Sequence, residues 1–203
     1  MSSGKNIGKV GLYFGSFNPI HLGHLIIANH MVTRTDLDEV WMVVTPTSPF
    51  KIDDELIGEQ HRLQMVRLAV AENPAIYATD VEFHLERPNY TCTTLRHLRT
   101  QYPSIDFSVI LGEDNYDSLH KWKDYEEIIA NHRLLVYPRK LTTDLHVEPQ
   151  VQSENVVKFN NSPMIAISSS YIREAILAKH DVQFLLPDPV ISYIGNNHLY
   201  EVS

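Results

Sequence analysis

A chain of 203 residues, 43% hydrophobic and 21% charged, can bury a sizeable core and is expected to form one domain over 1–203, with a small helical part over about 168–203. Its formal net charge of −8 and scattered Lys and Arg leave no electrostatic footprint for nucleic acid or an anionic membrane, so a phosphate ligand must be held by a local cluster. The lone Cys92 excludes an intramolecular disulfide, no apolar run reaches the ~20 residues that span a bilayer, and Met1 to Gly8 lacks the apolar core of a signal peptide, so a cytoplasmic location is expected.

Val10 to Phe14 reads as a buried strand. A tight Gly15-Ser16-Phe17-Asn18-Pro19 turn follows, then a helix whose first turn carries His21 and His24. Residues three apart on a helix face the same way, and the first turn offers unpaired backbone N–H groups at the positive end of the helix dipole. Such a place suits an anion. Glu39 to Val44 is β-branched and aromatic, as a buried parallel strand requires. Thr45 to Glu55, with Pro46, Pro49 and Lys51, is a loop. A helix is expected from about Glu59 to Glu72, with Leu63, Val66 and Val70 on one stripe and Asn73-Pro74 as its stop.

Ala75 to Val81 reads as a strand and Glu86 to Tyr90 as a turn. Thr91 can then cap a helix that runs to about Gln101, with Leu95 and Leu98 inward. Asp106 to Leu111 is the next strand, broken by the turn Gly112-Glu113-Asp114-Asn115. Trp122 precedes a helix over Asp124 to Ala130, and Arg133 to Tyr137 is again a strand. Residues 138–155 lack periodicity and read as loop. Val156 to Phe159 and Met164 to Ile167 are short strand candidates. Ser168, Ser169 and Ser170 provide capping hydroxyls for a helix over Tyr171 to Lys179, and a final helix starts over Val190 to Ile194 and ends at Gly195-Asn196. Strands alternating with helices predict an α/β, doubly wound parallel sheet. Ligands of such sheets lie at the carboxyl ends of the strands, and the turns at Gly15, Gly112 and Ser168 each follow a strand.

Two histidines at i, i+3 suit metal ligation, donation to a phosphate, or simple polarity at a helix start. No third ligand with suggestive spacing accompanies them, and a phosphate-cradling turn precedes them, so donation to a phosphate leads. Neither G-x-G-x-x-G nor G-x-x-x-x-G-K-[ST] occurs, which argues against hydride transfer and P-loop hydrolysis. The remaining histidines, His30, His61, His84, His97, His120, His132, His146, His180 and His198, are assigned to the surface.

Gly15-Ser16-Phe17-Asn18-Pro19-Ile20-His21-Leu22-Gly23-His24 resembles the H-x-G-H signature of the nucleotidylyltransferase superfamily, and Ile167-Ser168-Ser169-Ser170-Tyr171-Ile172-Arg173 resembles its partner I-S-S-T-x-I-R motif. With Glu86 to Thr91, Gly112 to Asn115, Trp122-Lys123, Leu186-Pro187 and Leu199-Tyr200, nearly the whole chain is similar to the bacterial nicotinate-nucleotide adenylyltransferases. The resemblance implies a Rossmann-like nucleotidylyltransferase fold. It also implies a reaction: direct in-line attack of nicotinate mononucleotide's 5′-phosphate on the α-phosphorus of ATP, giving deamido-NAD and diphosphate with no covalent intermediate. An ionised phosphate needs no general base, so catalysis reduces to alignment and charge neutralisation.

By that resemblance His21, His24 and Arg173 are catalytic. Gly15, Ser16, Phe17, Gly112, Asp114, Ile167, Ser168 and Ser169 join them around ATP, with Asp114 on the adenosine ribose. Asn18, Lys51, Thr91, Trp122 and Arg139 are assigned to nicotinate mononucleotide, with the pyridine ring stacked on Trp122 and its carboxylate bonded near Thr91. Mg²⁺ arrives with ATP, and no protein metal site is implied. Expected partners are these two nucleotides, with no nucleic acid and no membrane, and a homo-oligomer is left open. Three positions depart from the family pattern. Phe50 stands where histidine is usual, Asn18 where an acidic residue is common, and Tyr137-Pro138-Arg139 where the order is arginine-proline-glycine. Nicotinamide mononucleotide or phosphopantetheine as acceptor, and a catalytically silent nucleotide-binding regulator, are the competing readings.

Overall fold

The computed structural model describes residues 7–47, 56–138, 153–159, 163 and 165–201. At its centre lies β1 (Lys9–Gly15), paired in parallel with β2 (Glu39–Val44) on one side and β4 (Asp106–Gly112) on the other. Beyond β2 comes β3 (Ile76–Thr79), and beyond β4 come β5 (Leu134–Tyr137) and β6 (Val156–Lys158), so the described strands run in the order β3-β2-β1-β4-β5-β6, all parallel. The helices are α1 (Leu22–Arg34), α2 (Glu59–Val70), α3 (Thr91–Gln101), the single turn α4 (Glu113–Asp117), α5 (Tyr125–Asn131), α6 (Ser169–Leu177) and α7 (Asp188–Asn196).

Strand side chains alternate between faces, and here both faces are covered, which is why the strands read as continuous apolar runs rather than alternating ones. Tyr13, Met42, Ile110 and Leu135 share one apolar cluster with Ala28 and Met31 of α1, Leu63 and Val66 of α2, Ile172 of α6 and Val190 of α7. The neighbouring residues Leu12, Val43, Val109 and Val136 point the other way, into a second cluster with Leu95 and Leu98 of α3 and Ile128 of α5. The chain leaves β1 toward β2 on one side while β4 lies on the other. That reversal opens a crevice at the carboxyl ends of β1 and β4. No helix among the described residues is long and apolar enough to cross a membrane.

Several expected elements are corrected. The Ala75 to Val81 run pairs with β2 only from Ile76 to Thr79, because the backbone turns at Asp80 into a 3₁₀ turn, Val81–His84, that carries Glu82 inward. The turn expected at Gly112 to Asn115 is not a loop. Gly112 belongs to β4, and Glu113 and Asp114 open α4, where two carboxylates suit the positive end of the helix. Thr91 is the first residue of α3 rather than its cap, which is Tyr90. Of the strand expected at Met164 to Ile167, residues 165–167 lie outside any strand and Met164 falls outside the described residues; the unpatterned stretch 138–155 likewise has 139–152 outside them.

His132 is not at the surface. It ends α5 with 5% of its area exposed, and its Nδ1–H donates to the Phe107 carbonyl oxygen at 2.8 Å on β4. Burial holds its pKa below the usual histidine value. The fold therefore favours the neutral ring, and that contribution to stability is present above the ordinary value of about 6.5 and lost as pH falls below it. Between pH 7 and pH 5, urea unfolding should show a larger loss of stability for the wild type than for His132→Gln. Equal losses would mean that His132 takes no part in acid destabilisation.

Candidate active site

Where β1 ends at the crevice, the chain must reverse sharply before α1 begins. Phe17 takes a left-handed conformation (φ 46°), and its buried ring lies edge-on to Tyr13 at 5.9 Å and to His24 at 5.1 Å. Gly15 has no room for a side chain: a Cβ there would stand 2.8 Å from the Phe17 ring. The Asn18–Pro19 peptide is cis. His21 is the N-cap residue of α1 and His24 its third helical residue. The His21 backbone N–H points to Nδ1 of His24 at 3.3 Å, and the two imidazoles stack with centroids 3.7 Å apart. Because Nδ1 accepts, a ring proton of His24 sits on Nε2. Gly23 makes the pair possible, since a Cβ at that position would lie 3.0 Å from the His21 ring.

This turn is gripped from behind. Arg62 of α2, only 1% exposed, donates Nη1–H to the carbonyls of Ser16 (2.7 Å) and Thr45 (2.8 Å), Nη2–H to Pro46 (3.1 Å) and Nε–H to Ile57 (3.1 Å). One planar guanidinium thus ties together the loops that follow β1 and β2. Burial lowers its pKa, partly opposed by Glu59. Thr45 N–H donates to Gly15 O at 2.9 Å, and Leu22 N–H to Leu185 O at 2.9 Å. From α6, Ser169 Oγ donates to Pro19 O and Arg173 Nη1 to Asn18 O, both at 2.9 Å; Ser168 caps that helix by accepting from Tyr171 N–H at 3.2 Å.

Two cavities flank the turn. One, of about 410 Å³, is lined by Gly15, Ser16, Asn89, Thr91, Asn115 and Trp122 among others. The other, of about 200 Å³, is lined by Tyr13, His21, Gly23, His24, Tyr137 and Ile167 among others. The fold therefore gathers His21, His24 and Ile167 on one side and Thr91 and Trp122 on the other, with Gly15 and Ser16 between them. Gly112 ends β4 beside β1, and Asp114 is exposed on α4, whose neighbour Asn115 reaches the larger cavity. Asn18 lines neither of these two cavities. It is 2% exposed beneath the turn, with its carbonyl on Arg173 and its Oδ1 accepting from the Tyr200 hydroxyl at 2.9 Å. Lys51, Phe50 and Arg139 lie outside the described residues.

Arg62 and Glu82 carry no sequence motif, and Tyr200 enters the sequence reading only as part of the family resemblance, with no role assigned. Arg62 had a signal: it stands four residues before Val66 on the buried stripe of α2, so periodicity places it inside. Glu82 is 1% exposed and accepts from Thr94 Oγ1 at 2.7 Å, which ties the 3₁₀ turn to α3 at the back of the larger cavity; burial pushes its carboxyl above the usual range. No local pattern marks it.

The parallel sheet order is Rossmann-like, and residues 12–175 match the family model described as cytidylyltransferase-like, which places the chain in the nucleotidylyltransferase class. A probable nicotinate-nucleotide adenylyltransferase of Flavobacterium psychrophilum is 50% identical over 193 residues, covering 95% of this chain and 99% of that protein. Its namesake in Flavobacterium johnsoniae is 48% identical, with the same shares covered. Plasmodium falciparum nicotinic acid mononucleotide adenylyltransferase, solved with NaAD, shares the fold at a TM-score of 0.74 and 20% identity, covering 95% of this chain and 97% of that one. The chain belongs to the nicotinate-nucleotide adenylyltransferase family.

Arg62→Met leaves buried carbonyls without donors and should cost about 2–4 kcal/mol of unfolding free energy, with Arg62→Lys recovering only part because an ammonium lacks the planar fork. Urea denaturation checks this. A cost under about 0.5 kcal/mol would mean that the carbonyls find other donors.

Proposed function

We propose that the chain transfers the adenylyl group of ATP to nicotinate mononucleotide, releasing deamido-NAD and diphosphate. The observation that carries this reading is the pair of cavities on either side of the Gly15 to Asn18 turn, one beside the stacked histidines and one beside Trp122 and Thr91. Two nucleotides seated there would bring their phosphates together over the turn. The acceptor's 5′-phosphate oxygen forms the new bond to the α-phosphorus as the α–β bridging bond breaks, and the electron pair leaves with diphosphate. No base is needed because the nucleophile is already ionised. What the site must supply is alignment and donors for the charge that builds on the phosphoryl oxygens.

The His24 Nε2–H, His21, the first-turn N–H groups of α1 and the free N–H groups of Arg173 are the donors in this reading, with Ser168 and Ser169 on the leaving diphosphate. Arg173 holds Asn18 with one nitrogen, and a guanidinium has donors to spare. Asp114 serves the adenosine ribose, Trp122 stacks the pyridine ring and Thr91 bonds its carboxylate, with Lys51 and Arg139 beside the acceptor. Asn18 moves from ligand contact to scaffold. Imidazole, guanidinium and hydroxyl donors suit phosphate oxygens rather than a hard cation, so Mg²⁺ is assigned to the triphosphate as part of the substrate. A cytoplasmic location accords with this metabolic role.

Purified protein supplied with Mg–ATP and each acceptor in turn, with diphosphate release followed, tests the reading. Turnover is expected with nicotinate mononucleotide. His24→Ala should lower it by ~10² or more with the fold intact, as for loss of one transition-state donor. Gly23→Ala, which crowds the His21 ring, should also lower turnover, by about tenfold. Product only with nicotinamide mononucleotide or phosphopantetheine would overturn the acceptor assignment. No product with any acceptor would overturn the enzyme reading.

A further inference from the structure

Tyr200 stands near the end of the described chain, held there by the buried Leu199, whose N–H donates to Ile194 O at 3.1 Å. Its hydroxyl crosses 182 residues of sequence to donate to Asn18 Oδ1 at 2.9 Å. Asn18 in turn accepts Nη1–H of Arg173 on its backbone carbonyl at 2.9 Å, while Nη2 of the same guanidinium lies 3.4 Å from Ser170 Oγ. Two fixed points orient a planar guanidinium, and so they aim its remaining N–H groups. We propose that Tyr200 is a positioning residue for nucleotide phosphate binding: its hydroxyl fixes Asn18, and Asn18 fixes the direction in which Arg173 presents its free donors.

This rests on the reading of Arg173 as a phosphate ligand. Asn18 is 2% exposed and lines neither of the two cavities, so in this proposal its amide acts through the scaffold. Removing the Tyr200 hydroxyl takes one donor from a buried Oδ1, and a buried amide that loses a hydrogen bond reorients or shifts its backbone. The shift is felt where that backbone is held, at the Asn18 carbonyl under Arg173. The phenol lies within electrostatic reach of both Arg62 and Arg173, yet burial outweighs them and keeps its pKa above the usual range, so it remains a hydroxyl donor at neutral pH. An aspartate at position 18 would accept the same O–H. Leucine, of similar volume, would not.

The test compares Tyr200→Phe, Asn18→Leu, Asn18→Asp and the Tyr200→Phe/Asn18→Leu double variant with the wild type, by calorimetric titration of Mg–ATP and by forward and reverse kinetics. Tyr200→Phe and Asn18→Leu should each weaken ATP about tenfold and raise the reverse-direction KM for diphosphate by a similar factor. The KM for the mononucleotide acceptor should stay within about twofold. The double variant should be no worse than either single one, and Asn18→Asp should retain ATP affinity. Unchanged ATP affinity in Tyr200→Phe, equal weakening of ATP and acceptor, or additive single effects would overturn the proposal. A wild type that binds ATP without turning over any acceptor would overturn the enzyme reading, and the ATP titrations would still decide the role of Tyr200.

Discussion

A guanidinium sealed beneath two strand ends is the constraint on which the rest of this site depends. Burying a charge is costly unless hydrogen bonds replace its water, and Arg62 finds its replacements in four carbonyl oxygens, from Ser16, Thr45, Pro46 and Ile57. Three of those carbonyls belong to irregular backbone at the carboxyl ends of β1 and β2, where the sheet no longer supplies donors, and the fourth, at Ile57, lies just before α2. Each side solves the other's problem: the loops solvate the cation, and the cation satisfies the loops. The outcome is a turn whose carbonyls are bound from behind, which leaves its ligand face to N–H groups and imidazoles.

The other contacts extend the same principle. Ser169 and Arg173 bind two further carbonyls of the turn, at Pro19 and Asn18, so a helix from the far end of the chain is tied to it. The stacked histidines follow from local geometry. His21 caps helix α1, whose third residue is His24, and the glycine between them removes the side chain that would push the first ring aside. A phosphate arriving here would meet donors already aimed, and the ordering cost would have been met in folding rather than in binding.

The strand–turn–helix unit and the α/β alternation were legible in the sequence because they rest on local signals: apolar runs, a glycine and proline in the turn, and histidines at helical spacing. His21, His24, Thr91 and Trp122, which the family resemblance assigns to the nucleotides, line the two cavities beside the turn. What could not be read depends on distant pairs. Asn18 looked like a ligand residue, since nothing near it in sequence reveals that Tyr200, 182 positions away, holds its side chain. His132 looked like a surface histidine because the carbonyl that buries it, at Phe107, belongs to another strand. Arg62 fell between these cases: its helical phase placed it inside, but its four acceptors lie on loops that only the fold brings together.

If the Arg62 grip holds the Gly15 to Asn18 turn in place before any nucleotide arrives, crystal structures of the protein alone and with ATP should agree there. The backbone of residues 15–19 is expected to superimpose within about 1 Å between the two, with Arg62 on the same carbonyls in both. A turn that moves by more than about 2 Å, or an Arg62 that exchanges its partners when ATP binds, would contradict it.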